Sequence, residues 1–245
     1  MKTIDLNCDV GEGVGCEEDL LPLVSSANIA CGAHAGDVTT MAHTTALAKR
    51  LGVVAGAHPG FADRPNFGRV ELRLSPSELA ASLTEQLQAL ANHGTFRYVK
   101  PHGALYNMAA RDRDIAQVVV KTIKAFDAQL GLLALAGSAL WDEGQSAGLL
   151  TAGEAFADRK YDANGRLVSR AVTGAVLEDE GEVIEQVLSL ARDHRVKSRE
   201  GKWIKVAADS LCLHGDNQHA VALARRIRAV LAEAGVTVKS PWSLS

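Results

Sequence analysis

Paired cysteines are missing from this 245-residue chain: Cys8, Cys16, Cys31 and Cys212 are scattered, with no CxxC among them. With 47% hydrophobic residues the chain is large enough to bury a core without staples, so the thiols are expected to be reduced. A dominant charge is missing too. The net charge of -3 supplies no electrostatic reason for binding nucleic acid or an anionic membrane, which leaves small molecules and proteins as expected partners. No uncharged apolar run approaches the ~18 residues of a membrane span, and the opening MKTIDLNCDVGEG has no signal-like apolar stretch. A cytoplasmic address is the expectation. There is no glycine-serine linker, low-complexity segment or internal repeat, so residues 1–245 read as one domain. No GxSxG elbow, Walker A loop or kinase loop occurs. Gly11-Glu12-Gly13-Val14-Gly15 lacks both the GxGxxG order and a following Lys-Ser/Thr.

What is present is an alternation of short apolar runs with longer amphipathic segments, the pattern of βα units around a parallel sheet. Seven strands are expected, at Thr3 to Cys8, Ser26 to Ala30, Val53 to Ala57, Phe96 to Pro101, Leu132 to Ala136, Leu150 to Glu154 and Ser210 to His214. Ser75, Pro76 and Glu78 form a capping-box helix start and Gly94 supplies a stop, while Leu79, Leu83, Leu87 and Leu90 recur at helical spacing. Val221, Ala224, Ile227 and Leu231 mark the last helix. Tyr161 to Val168 and Val196 to Val206 carry turn signals between alternating runs and read as hairpin-like excursions over a site. The fold class is α/β, a single seven-stranded (β/α) barrel.

Chemistry collects at the strand ends. On the first strand Asp5, Asn7 and Asp9 share one face and Ile4, Leu6 and Cys8 the other. Burying that polar face is costly unless it finds partners, so it is either an ion-pair network or a site. Histidines then follow among glycines: His34 in ACGAHAGD, His58 in GAHPG, and His102 two residues after Lys100 in VKPHGALYN. Such residues supply metal ligands, proton donors and proton acceptors, and a lysine on a core strand asks for a carboxylate. In a closed barrel these ends converge on one mouth. The expected pocket inventory is Asp5, Asp9, Glu12 and Asp37, the imidazoles His34, His58, His102 and His214, and the cations Lys100 and Arg159; Tyr106 and Glu154 join it as substrate contacts. Lys160 and Tyr161 read equally well as a solvated rim. His43, His93, His194 and His219 fall in helical segments as surface or packing residues, and Arg192 to Lys205 reads as a solvated excursion.

The segments DLNCDVGEG (residues 5–13), SSANIACGAHAGD (25–37), GAHPGF (56–61), VKPHGALYN (99–107), EAFADRKY (154–161) and CLHGD (212–216), in this order, together resemble the LamB/YcsF family, the A component of the prokaryotic ATP-dependent 5-oxoprolinase. Asn164-Gly165-Arg166-Leu167 to Arg170 also resembles that family's pattern after its sixth strand. The resemblance implies a seven-stranded barrel akin to the glycoside hydrolase/deacetylase superfamily. It also implies conversion of 5-oxo-L-proline, ATP and water to L-glutamate, ADP and phosphate, with the B and C components as partners that activate the lactam and handle ATP. On this footing Asp9 or His34 is the expected base for water, with His58 and His102 as acid/base or orienting partners. Lys100 stabilises developing negative charge, Asp5 and Asn7 orient the others, and Arg159 and Arg170 hold the substrate carboxylate. Two rivals stand beside it. One is a metal-dependent hydrolase with Asp9, His34 and His58 holding a divalent ion; the other is a component that presents substrate and does no chemistry.

Overall fold

A computed structural model describes residues 2–13, 15–169, 172–213 and 219–242. Ten strands, eight α-helices and two 3-10 helices are seen among them. In chain order the strands and α-helices are β1 (Lys2–Val10), α1 (Glu17–Leu20), β2 (Ser26–Ala30), α2 (Val38–Leu51), β3 (Val54–His58), α3 (Pro76–Ala91), β4 (Tyr98–Val99), α4 (Gly103–Arg111), α5 (Arg113–Phe126), β5 (Gly131–Leu135), α6 (Ala139–Ser146), β6 (Thr151–Phe156), α7 (Glu180–Asp193), β7 (Arg195–Lys197), β8 (Trp203–Lys205), β9 (Ser210–Leu213), α8 (His219–Glu233) and β10 (Val236–Val238). β1 to β6 run side by side in parallel, and β9 closes the ring by pairing with both β6 and β1. The closed parallel barrel thus has the seven strands expected from sequence. β10 was not expected: it pairs in parallel with Lys2 to Ile4 of β1, leaving Asp5 to Cys8 for β9. Three residues after a helix offer too short a period to be read.

Local chemistry explains the helices. Ser75 accepts from the Glu78 backbone while Glu78 reaches back to the Ser75 N–H, so both arms of the capping box close, with proline at the first turn. Leu79, Leu83, Leu87 and Leu90 are buried on one face of α3, and the helix ends at Ala91, ahead of Gly94. The expected excursions are present: Tyr161 bridges Leu167, and β7 pairs antiparallel with β8.

The core is divided in an instructive way. Ile4, Leu6, Cys8 and Val10 of β1 belong to the apolar layer between barrel and helices. Asp5, Asn7 and Asp9 point into the lumen, where Lys100 reaches across from the end of β4 to touch Asn7 and Asp9 on β1. Below them Tyr98 stacks on Trp242, with ring centroids 4.9 Å apart, and fills the barrel's floor. Gly56 makes this possible, since a Cβ there would lie 2.3 Å from Tyr98 Cζ. Gly56→Ala is therefore expected to lower stability by about 1–3 kcal/mol through overpacking, read as a shifted urea midpoint at unchanged slope. An unchanged midpoint would show that the lumen has slack.

Candidate active site

The C-terminal strand ends open into a cavity of about 890 Å³ walled by Asp9, Glu12, His58, Lys100 and His102 and roofed by residues of both excursions. The lumen beneath it is a hydrogen-bonded column. At its base the Asp5 carboxylate accepts from three hydroxyls, Ser25 at 2.6 Å, Ser26 at 2.8 Å and Ser210 at 2.5 Å. Asn28 donates to both Asn7 (2.7 Å) and Asp9 (2.8 Å), and the Tyr98 hydroxyl donates to Asn28 at 2.6 Å. At the centre Lys100 Nζ lies 2.9 Å from Asp9 Oδ1, 2.8 Å from Glu154 Oε1 and 3.3 Å from the Cys212 sulfur. Tyr106 donates to the other Glu154 oxygen at 2.6 Å. The carboxylate partner that sequence demanded for Lys100 is thus two carboxyl groups, Asp9 and Glu154.

Above the lysine sits an imidazole cluster. His58 Nδ1 lies 2.7 Å from the Lys100 carbonyl, and His102 Nε2 lies 2.9 Å from the Phe67 carbonyl. Their remaining nitrogens, His58 Nε2 and His102 Nδ1, face each other at 2.9 Å. His34 stacks on His102 with centroids 3.8 Å apart and presents Nε2 to Glu12 Oε1 at 3.3 Å. His58 Nε2 is also 3.4 Å from Asp9 Oδ2, and His102 Nδ1 is 3.6 Å from Glu12 Oε1. Gly60 supports the stack from behind, where a Cβ would lie 2.9 Å from His34 Nδ1. Glu12, His34, His58 and His102 each offer one ligand atom, all within 4.8 Å of one another.

Burial and charge set the protonation states. Burial pushes Asp9 up, but His58 and Lys100 beside it outweigh that and hold the carboxyl well below the usual range. Burial likewise pulls Lys100 down, and Asp9, Cys212 and Glu154 overcome it, so the amine stays charged. Burial, with His58 next to it, brings His34 to about 3. His102 falls to about 2 for the same reasons, with His34 adding to them. Burial, then the Asp9 charge, pushes Glu12 up to about 7.

Asp5 is pushed from 3.8 to about 6 by burial, against the lowering effect of its serine partners. The neutral carboxyl's contribution to stability is therefore fully present below pH 3.8 and is lost as pH rises through about 6. Asp5→Asn keeps a neutral hydrogen-bonding group, and is expected to exceed the parent in stability by up to about 3 kcal/mol at pH 8, the gap closing towards pH 4. Denaturation midpoints of both proteins across that range test it; a gap independent of pH would mean Asp5 titrates normally.

The structure brings together most of the residues singled out from sequence, at different depths. Asp9, Glu12, His58, Lys100, His102, Tyr106 and Arg159 line the cavity. His34 lies just behind His102, while Asp5, Asn7 and Glu154 lie fully buried in the lumen beneath, bonded to protein partners. Asp37 is a correction: its carboxylate caps α2, accepting from Thr40 N at 2.8 Å, and it takes no part in the cavity wall. Tyr161 is another, being completely buried with its hydroxyl accepting from Phe156 N at 2.7 Å, and so no solvated rim. Arg170 and His214 lie outside the described residues. Sequence reasoning missed Arg69, Arg111 and Lys205, which line the cavity. Lys205 belongs to the segment expected as a solvated excursion, and surface cations carry no local signal that would separate a cavity wall from bulk surface.

Comparison with known proteins agrees with this architecture. A sequence model of the LamB/YcsF family matches residues 4–244. The lactam utilization protein from Thermus thermophilus is 40% identical, with a TM-score of 0.89 over 97% of this chain and 99% of that one. A family 4 carbohydrate esterase from Streptomyces lividans, at 13% identity, superposes with a TM-score of 0.50 over 97% of this chain and 91% of its own. A truncated 3-deoxy-D-arabino-heptulosonate 7-phosphate synthase from Thermotoga maritima, at 10% identity, gives 0.51 over 97% and 90%. The last two share the barrel fold.

Proposed function

The chain belongs to the LamB/YcsF family, and from that premise and the pocket's chemistry we propose that it opens the lactam ring of 5-oxo-L-proline as the A component of an ATP-dependent 5-oxoprolinase. The observation that carries the reading is the Asp9–Lys100–Glu154 column beneath the cavity, which holds an ionised carboxylate and a charged amine side by side at its floor. The likeness to a lactam utilization protein points to the same substrate class.

An unstrained five-membered lactam is a poor electrophile, so activation must come first; ATP and the partner B and C components supply it by phosphorylating the lactam oxygen. Water then adds to the ring carbon and gives its proton to Asp9, which is reachable at the cavity floor. The C–N bond breaks as the nitrogen takes up the water's two protons by way of Asp9, leaving an acyl phosphate. A second water releases phosphate and glutamate. Lys100 stabilises the negative charge that develops on oxygen. Arg69, Arg111, Arg159 and Lys205 around the cavity suit a substrate that carries a carboxylate and a phosphoryl group.

The test is glutamate release from 5-oxoproline and ATP by the chain alone, by the B and C components alone, and by all three. Activity confined to the three-part mixture is the expected result. Silence in every mixture would remove the assignment, and ATP-independent activity of the chain alone would replace it with a self-sufficient amidase.

A further inference from the structure

The His58–His102 contact poses a problem in valence that the ring-opening chemistry does not use. A backbone carbonyl can only accept, so His58 Nδ1 must donate to the Lys100 carbonyl and His102 Nε2 must donate to that of Phe67. A neutral imidazole carries one N–H, so the two nitrogens that face each other at 2.9 Å are then both bare lone pairs. Two carboxylate oxygens close the same space, Asp9 Oδ2 at 3.4 Å from His58 Nε2 and Glu12 Oε1 at 3.6 Å from His102 Nδ1. His34 Nε2 approaches Glu12 Oε1 at 3.3 Å from the other side. Acceptors packed against acceptors repel unless a positive charge lies between them.

We propose that Glu12, His34, His58 and His102 form a binding site for one zinc-type divalent ion. The spacing is close to what an ion needs. Ligands held at 2.0–2.1 Å around a tetrahedral ion stand about 3.3 Å from one another; three separations among these ligand atoms, 2.9, 3.3 and 3.6 Å, scatter around that value, and the whole set lies within 4.8 Å, so its widest pair would draw together on binding. The donor set of three imidazoles and one carboxylate suits a borderline ion better than calcium or magnesium, which ask for oxygen. The carbonyls that hold His58 and His102 are the outer partners that ligating histidines commonly have, since they fix both the tautomer and the ring orientation. His34 and His102 are buried to within a few per cent, so these two imidazoles are largely shielded from bulk water. A bound ion would place a positive charge beside Asp9, whose Oδ2 lies 3.4 Å from His58 Nε2. The side-chain geometry that defines this site is independent of lactam chemistry.

Cobalt serves as the probe. The full chain, stripped with a chelator and dialysed against Co2+, is expected to retain about one ion per chain and to show the visible absorption of a four-coordinate cobalt centre. Metal content and absorption should be lost in His58→Ala and in His102→Ala and kept in His43→Ala, a surface histidine on α2. A parent protein that keeps its circular dichroism yet retains no ion overturns the proposal whatever the variants do, and so does uptake that survives both substitutions. A proton shared between His58 and His102 in metal-equilibrated protein, seen as a far-downfield NMR resonance, would also overturn it. None of these measurements uses 5-oxoproline, so failure here is separate from failure of the ring-opening assay.

Discussion

Asp9→Asn is expected to lower glutamate release by the three-component mixture about 10²- to 10⁴-fold, the usual contribution of a positioned proton acceptor. The amide keeps the shape and the hydrogen bond from Asn28 but cannot take a proton from water. The fall should appear in kcat with little change in KM, because the substitution removes an interaction made as water attacks rather than one that holds the ground state. Lys100 keeps Glu154 as a counterion at 2.8 Å, so the variant should still fold and assemble. Steady-state kinetics on assembled complex decide the matter. Turnover within a few-fold of the parent would remove Asp9 as the base, and a loss explained wholly by poorer assembly would favour a substrate-presenting role.

Lys100→Met is expected to cost about 3–5 kcal/mol of stability, the range for stripping one partner from a buried ion pair. The methionine fills similar volume, so the loss measures charge rather than a cavity. It leaves Glu154 fully buried and Asp9 partly so, with no cation between them. Lys100→Arg should not rescue the protein, because Nζ is already in contact with Asp9, Glu154, Asn7 and the Cys212 sulfur at 2.8–3.3 Å, and a larger planar guanidinium would have to displace them. Urea unfolding of the three proteins checks this. A loss under about 1 kcal/mol in Lys100→Met would mean that water or proton uptake replaces the lysine at little expense.

Much of the fold was legible because its signals are local. Strand β2 lies where the apolar run Ser26 to Ala30 put it, and the capping box at Ser75 forms as its residues dictate. The polar face of β1 was visible from alternation, but its depth was not: Asp9 reaches the cavity wall, whereas Asp5 and Asn7 lie fully buried in the lumen beneath it. Asp37 shows the opposite failure. Its place beside a histidine-glycine run suggested the site, whereas the stronger physical signal was Thr40 three residues on, the spacing of a helix cap. Glu12, expected among the pocket carboxylates, stands close against the imidazoles, a role that depends on where the loop after β1 meets β3 and α4.

Periodicity and capping over a few residues are enough to set which elements form, which face of each is apolar, and that acids, imidazoles and one lysine gather at strand ends. They say nothing of the contacts that define the site: Lys100 bridging Asp9 and Glu154, Tyr98 meeting Trp242, and His58 and His102 turning bare nitrogens towards each other. Those contacts run across the lumen between residues up to 144 positions apart, as Tyr98 and Trp242 are. They are fixed by barrel closure, strand register and backbone carbonyls that no short-range pattern encodes.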